Sequence, residues 1–226
     1  IREIGDRCRA RGVPFHTDAV QAFGKVPWAF ADLPVDLASV SSHKICGPKG
    51  IGALLVKDDI RLRPLVTGGG QERRIRPGTE NLPGMVGFGR AARLAAEELS
   101  RESDRLGKLR DHLEAGLLAR IPGVRVNGGG AERLPNTANV TFGGLDGESL
   151  LIALDLEGVA VSTGAACNAG ASEPSHVLLA MGRSREDAGG SIRFSLGSGS
   201  NEAEISEVLR ILPEIADRQA ASGATG

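Results

Sequence analysis

The sequence predicts an α/β protein, and three observations lead there. Short apolar runs that fit strands alternate with longer stretches of helical period along the whole chain. Loops rich in glycine and proline separate them, from a total of 32 Gly and 11 Pro. The chain has 226 residues, 41% of them hydrophobic and 24% charged, enough to bury a core without a disulfide or metal.

Segment 1–12 (IREIGDRCRARG) opens inside an amphipathic helix, with Ile1, Ile4 and Cys8 on one face, as a fragment or a processed product would. Val13 to Asp18 reads as a short strand ending in a carboxylate. Residues 38–42 (ASVSS) and 51–56 (IGALLV) read as two further strands, the second apolar enough to be buried on both faces. Residues 43–50 and 68–81 are loops by their glycines and prolines. From Met85 the period becomes helical. Met85, Phe88, Ala92, Ala95, Ala96 and Leu99 share a face, and Leu106, Leu109, Leu113 and Leu117 continue it to about Arg120, as one helix or two in tandem. Pro122-Gly123 stops it, and a second domain begins near this helix. A strand follows at 137–142, then a helix capped by Asp146 and running to Gly158, then short strands at 159–162 and 191–195. In the last strand Ile192 and Phe194 share one face, and Arg193 takes the other. The final helix starts at Asn201 with Glu204 completing a capping box, and Ile205, Val208, Leu209, Leu212 and Ile215 form its stripe. Pro213 is expected to kink or shorten it, and the small, polar residues 219–226 to fray.

A net charge of −1 offers no basic surface for a phosphate backbone, so nucleic acid is not expected as a stable partner. No run of about eighteen apolar residues occurs, so no membrane span is expected, and no signal-peptide pattern is present. Cys8, Cys46 and Cys167 lie far apart with no Cys-x-x-Cys pair. That disfavours zinc and dithiol motifs and suits reduced thiols in a cytoplasm.

Several residues have the chemistry of a site. Lys44 follows a predicted strand and is followed by a loop of small residues, where a desolvated amine becomes a nucleophile toward carbonyls. Asp18 and Gln21 stand at another strand end, and ligands of open α/β sheets bind beyond the carboxyl ends of strands. A carboxylate there can keep a pyridine nitrogen protonated. Gly47-Pro-Lys-Gly50 is not a phosphate loop of the Walker type, because no Ser or Thr follows Lys49. Cys167 sits among small residues that offer no packing partners, so it reads as an exposed, reactive thiol. Cys8 and Cys46 read first as packing residues. Arg193 has the shape to hold a carboxylate bidentately. Each also has a structural reading: a surface lysine, a turn aspartate, a salt-bridged arginine.

Six stretches in this order, HTDAVQAFGKVP, SVSSHKICGPKGIGALLV, GGGQERRIRPGTEN, LPNTANVTF, VAVSTGAACNAGASEPSHVLLAMG and SIRFSLG, resemble the cysteine desulfurases. These are class V members of the fold-type I pyridoxal 5'-phosphate (PLP) enzymes, and the long Cys loop resembles their extended-loop branch. The resemblance implies that 1–98 is the C-terminal part of a large, mostly parallel-sheet domain that binds PLP. Residues 99–218 would be a small C-terminal α/β domain carrying the Cys loop, and 219–226 a flexible tail. Lys44 would hold PLP as a Schiff base and act as general base. Asp18 would face the pyridine nitrogen and Gln21 the ring oxygen. Ser41 and His43 would bind the phosphate. Thr79 would reach a phosphate in the partner subunit of a homodimer. Arg193 would bind the substrate carboxylate and Cys167 would take the sulfur. The implied reaction converts L-cysteine to L-alanine and leaves a persulfide for an iron–sulfur scaffold or a tRNA-thiolation enzyme.

The family's large domain starts on the order of 150 residues earlier. That portion carries a histidine that stacks on the cofactor, an asparagine near it and a glycine-threonine phosphate contact. His16, His112 and His176 do not match the stacking position. The chain alone is therefore expected to hold PLP weakly, to turn over no cysteine, and to self-associate through surfaces such as Leu54, Leu55 and Val56. Two other readings share the motifs: a class V aminotransferase or selenocysteine lyase, and a non-catalytic fragment.

Overall fold

The computed structural model describes residues 1–163 and 173–223. They divide into two units, Ile1–Arg101 and Glu102–Gly226, and the division falls inside a long helix. In the first unit, α1 (Arg2–Arg9) forms as expected, but Ile1 and Ile4 are exposed and its buried residue is Gly5. Strand β1 (His16–Asp18) pairs in parallel with β2 (Leu37–Ser41), setting Asp18 beside Ser39. On its other edge β2 pairs antiparallel with β3 (Gly52–Val56), setting Ser41 beside Gly52. The central strand alternates as a half-covered strand should: Ala38 and Val40 are buried, and with Ala19 they pack against Phe23, Trp28, Phe30, Leu55 and Phe88.

Strand β3 departs from the expectation of double burial. Gly52, Ala53 and Leu54 are exposed, and Leu55 and Val56 are only half-buried. A run of uniform hydrophobicity carries no alternation, so it cannot report which face is covered. Here β3 is the edge of a three-stranded sheet.

Helix α2 (Leu82–Arg120) is one continuous helix. On its expected face Phe88, Ala92, Ala95 and Leu99 are half-buried, whereas Met85 and Ala96 are exposed and Ala91 is buried. Farther along, Leu106, Leu109, Leu113 and Leu117 are buried in the core of the second unit.

That unit is built on an antiparallel sheet of order β4-β5-β7-β6, comprising β4 (Val124–Val126), β5 (Thr137–Phe142), β6 (Ser162–Thr163) and β7 (Ser191–Ser195). Ala138, Val140, Phe142, Ile192 and Phe194 face a core shared with α2, α3 (Gly147–Leu156) and α6 (Glu202–Gly223). The caps match the sequence. Asp146 Oδ1 accepts from the Ser149 N–H at 2.8 Å. Asn201 Oδ1 accepts from the Ala203 and Glu204 N–H groups, and Glu204 Oε2 accepts from the Asn201 N–H.

The short strand expected at 159–162 lies at Ser162–Thr163. The three-residue strand β4 and the five-residue helices α4 (His176–Ala180) and α5 (Arg185–Gly189) were not anticipated, being too short to show a period. Two expectations for the C-terminus are corrected. Pro213 does not shorten α6, which runs on to Gly223, and residues 219–223 continue the helix, where Gln219 Nε2 donates to the Asp146 carbonyl at 3.1 Å; the remainder of the tail, 224–226, lies outside the described residues. Inside the leucine stripe, the buried Glu114 accepts two hydrogen bonds from Arg133, at 2.6 and 2.9 Å. The bonds to Glu114 hold the Arg133 guanidinium above its ordinary pKa. Among the described residues, no helix is long and apolar enough to cross a membrane, and no group of three or more His, Cys, Asp or Glu side chains is set to hold a metal.

Candidate active site

The parallel pairing of β1 with β2 brings two carboxyl-terminal strand ends to one edge of the first unit. Asp18 ends β1. Its Oδ1 accepts from the Val20 N–H at 2.8 Å, which fixes the carboxylate beside the turn that follows. In that turn the Ala22 and Phe23 N–H groups both return to the Ala19 carbonyl, and the buried Ala19 anchors it. The turn presents Gln21 to solvent, where its Oε1 accepts from Lys25 Nζ at 2.8 Å.

Strand β2 ends at Ser41 and passes into a 3₁₀ turn, Ser42–Ile45. The side chains of Ser42 and Ile45 are buried, so the pair between them, His43 and Lys44, is turned out to solvent. Ser41 Oγ and His43 Nδ1 lie 2.7 Å apart and form one hydroxyl–imidazole unit. The turn closes on Cys46, a non-glycine residue in the left-handed region with φ of 62°, and Cys46 is exposed. It is thus no packing residue, contrary to the sequence reading, whereas Cys8 is half-buried as read.

Lys25 is a residue of this edge that the sequence reading did not single out. Burial lowers its pKa from the ordinary lysine range. The nearby Lys44 charge lowers it further, and Cys46 acts in the opposite sense. Only its position four residues after Gln21 pointed to it, and spacing in a turn is a weak signal.

Thr79 belongs to the same unit but to the loop at 68–81, and no described hydrogen bond ties it to that edge. The loop is folded on itself. Arg76 donates to the Gly78 and Thr79 carbonyls, and Gln71 Oε1 accepts from the Gly78 N–H. Glu72, Arg73 and Arg74 all have positive φ, an uncommon backbone for three consecutive non-glycine residues.

In the second unit Arg193 is half-buried at the middle of β7, opposite Asn139 of β5 and Ser162 of β6. Its Nε donates to Ser195 Oγ at 3.2 Å. A buried chain of polar groups runs beside it. Asn127 Nδ2 donates to Asn139 Oδ1 and Thr141 Oγ1, Thr141 Oγ1 meets Ser191 Oγ, and Ser191 Oγ donates to the Asp187 carbonyl. Asn139, on the same face as Arg193, was also missed, because a lone Asn in a strand has no distinctive pattern. Cys167 lies outside the described residues.

The structure therefore gathers Asp18, Gln21, Ser41, His43 and Lys44 on one edge, with Thr79 elsewhere in the same unit and Arg193 in the other. A carboxylate, a hydroxyl–imidazole pair and two amines on one edge can bind a group that carries both an acidic N–H and a phosphate, with an amine left to react.

Comparison with known proteins gives a consistent result. The chain matches the profile of the aminotransferase class-V family over residues 1–208. It is 49% identical over 218 residues to a cysteine desulfurase of Trichormus azollae, covering 96% of this chain and 54% of that protein. It is 48% identical over 217 residues to the cysteine desulfurase IscS of Clostridium botulinum, covering 95% of this chain and 55% of that one. The X-ray structure of a NifS-like protein from Rickettsia africae matches with a TM-score of 0.87 at 36% identity, covering 96% of this chain and 57% of that one. The chain spans about half the length of the curated relatives it matches.

Proposed function

This chain belongs to the aminotransferase class-V family, and on that premise we propose that it is the lysine-bearing part of a cysteine desulfurase. The observation that carries the reading is the parallel pairing of β1 with β2, which ends one strand at Asp18 and the other at Ser41, with His43 and Lys44 in the turn that follows. Relatives at 48–49% identity that are named cysteine desulfurases support the choice of reaction.

The side chains on that edge fit PLP. A carboxylate suits its ring nitrogen, a hydroxyl–imidazole pair suits its phosphate, and an exposed lysine suits its aldehyde. When bound, PLP supplies an electron sink for the bond broken at the substrate. Asp18 would keep a proton on the ring nitrogen, and Ser41 and His43 would hold the phosphate. Gln21 would donate to the ring oxygen. The Lys44 amine would hold the cofactor by its aldehyde and would serve as the base for the substrate Cα proton. Arg193 binds the substrate carboxylate through its guanidinium. The Cys167 thiolate attacks the substrate sulfur, so that a C–S bond breaks and an S–S bond forms. The sum is L-cysteine plus the Cys167 thiol giving L-alanine plus a Cys167 persulfide. The same reading has Thr79 serving the partner subunit of a homodimer, and an iron–sulfur scaffold or tRNA-thiolation enzyme accepting the sulfur in the cytoplasm.

The test is Lys44→Ala in the full-length protein. Wild type is expected to show the visible absorbance of lysine-bound PLP and to release alanine from cysteine, and the variant to show neither. A variant that retains both would overturn the reading.

A further inference from the structure

Gln21 is useful to a bound ring oxygen only if its carboxamide points the right way round. A glutamine presents an acceptor, Oε1, and a double donor, Nε2, and rotation by half a turn exchanges them. Exposed as it is, Gln21 has little packing to choose between the two. Lys25 makes the choice: an ammonium has three donors and no acceptor, and its Nζ lies 2.8 Å from Oε1. The reversed amide would set an NH2 group against the ammonium, donor against donor. Lys25 thus holds the acceptor end and leaves Nε2 as the outward-facing group.

The support beneath Lys25 is built for this. Its side chain is half-buried, at a desolvation cost that lowers its pKa, and it stands near enough to Lys44 to feel that charge. The turn that carries it is seated directly on the Lys44 turn. Gly24 has φ of 72°, and a Cβ there would come within 2.7 Å of Ile45 Cγ2 and 3.1 Å of the Ala95 side chain. Ile45 is the buried neighbour of Lys44. The neighbours of Lys25 and Lys44 in the chain are therefore in close approach at the Gly24–Ile45 contact.

We propose that Lys25 is a positioning residue that orients the Gln21 carboxamide, so that Nε2 is the group offered to an anionic ring oxygen on the cofactor attached at Lys44. The inference rests on the PLP reading above and deepens it. It makes Gln21 a donor by construction, and it gives a half-buried cation a task in a site where a further positive charge is otherwise unfavourable.

The experiment uses the full-length holoenzyme and follows the pH midpoint of the visible band, which reports the environment of the lysine-bound cofactor independently of turnover. Gln21→Leu is expected to move the midpoint by about half a pH unit or more. Lys25→Met should move it in the same direction, and should move it little further when Gln21→Leu is already present. Lys25→Arg keeps a head group with donors and no acceptor, so it should stay near wild type; it also serves if the methionine variant folds poorly. The proposal is overturned if Lys25→Met and Lys25→Arg shift the midpoint equally, since donation to Oε1 would then not be what counts. It is also overturned if the Lys25 and Gln21 effects simply add, or if neither moves the midpoint. Those outcomes leave the PLP reading intact, whereas a wild-type protein without the band, or a band that survives Lys44→Ala, removes that reading and this proposal with it.

Discussion

Pro213 sits in the middle of α6, where it has no N–H to give to the Leu209 carbonyl, and proline in a helix interior costs about 3 kcal/mol relative to alanine. The orphaned carbonyl is nevertheless satisfied, because Arg120 Nη1 donates to it at 2.6 Å. The arrangement follows from a close approach one turn earlier on α2. A Cβ on Gly116 would lie 2.5 Å from Leu209 Cδ1, so the two helices touch there, and Arg120 is the next residue on the same face. A hydrogen bond from a charged donor contributes roughly 1.5–3 kcal/mol, and the exposure of Arg120 reduces this to about 1–2 kcal/mol. Arg120→Met keeps the aliphatic stem and removes the donor, so it should destabilise the protein by about that amount. In a Pro213→Ala background residue 213 regains an N–H for Leu209. That substitution alone should stabilise by up to about 2 kcal/mol, and Arg120→Met on top of it should cost less than about 0.5 kcal/mol. The assay is urea denaturation followed by far-ultraviolet circular dichroism on all four proteins of the cycle. If Arg120→Met costs the same in both backgrounds to within about 0.3 kcal/mol, the arginine is not standing in for the missing N–H and the argument is refuted.

Two predictions concern the chemistry in the full-length protein. Cys167→Ser should still bind PLP and cysteine yet form no protein persulfide, while Cys8→Ser and Cys46→Ser should form it; mass spectrometry of the labelled thiols separates these, and loss of the persulfide in Cys46→Ser alone would move the sulfur carrier to the exposed cysteine beside Lys44. Arg193→Ala should weaken the use of cysteine by about 2–5 kcal/mol, chiefly through KM, and unchanged steady-state kinetics would reduce Arg193 to a structural residue.

Where a residue's role follows from its neighbours in sequence, the sequence was sufficient. The caps at Asp146 and Asn201, the alternation of Ile192, Arg193 and Phe194, and the leucine stripe from Leu106 to Leu117 are set by hydrogen-bond reach and side-chain period within a few residues. The ordered motifs, HTDAVQ through SSHK to SIRFS, were legible for the same reason, since each keeps its chemistry in a short window. Tertiary structure decided what depends on residues distant in sequence. The exposure of β3 follows from its place at a sheet edge, which a run such as IGALLV cannot encode. The exposure of Cys46 follows from a left-handed turn that buries Ile45 instead. Beyond Pro213, it is Arg120, 89 positions earlier than Leu209, that reaches a carbonyl the helix itself could not satisfy. Lys25 gained its meaning only when the turn around Gly24 was seated on Ile45, because the cost and the use of a half-buried charge are properties of what surrounds it.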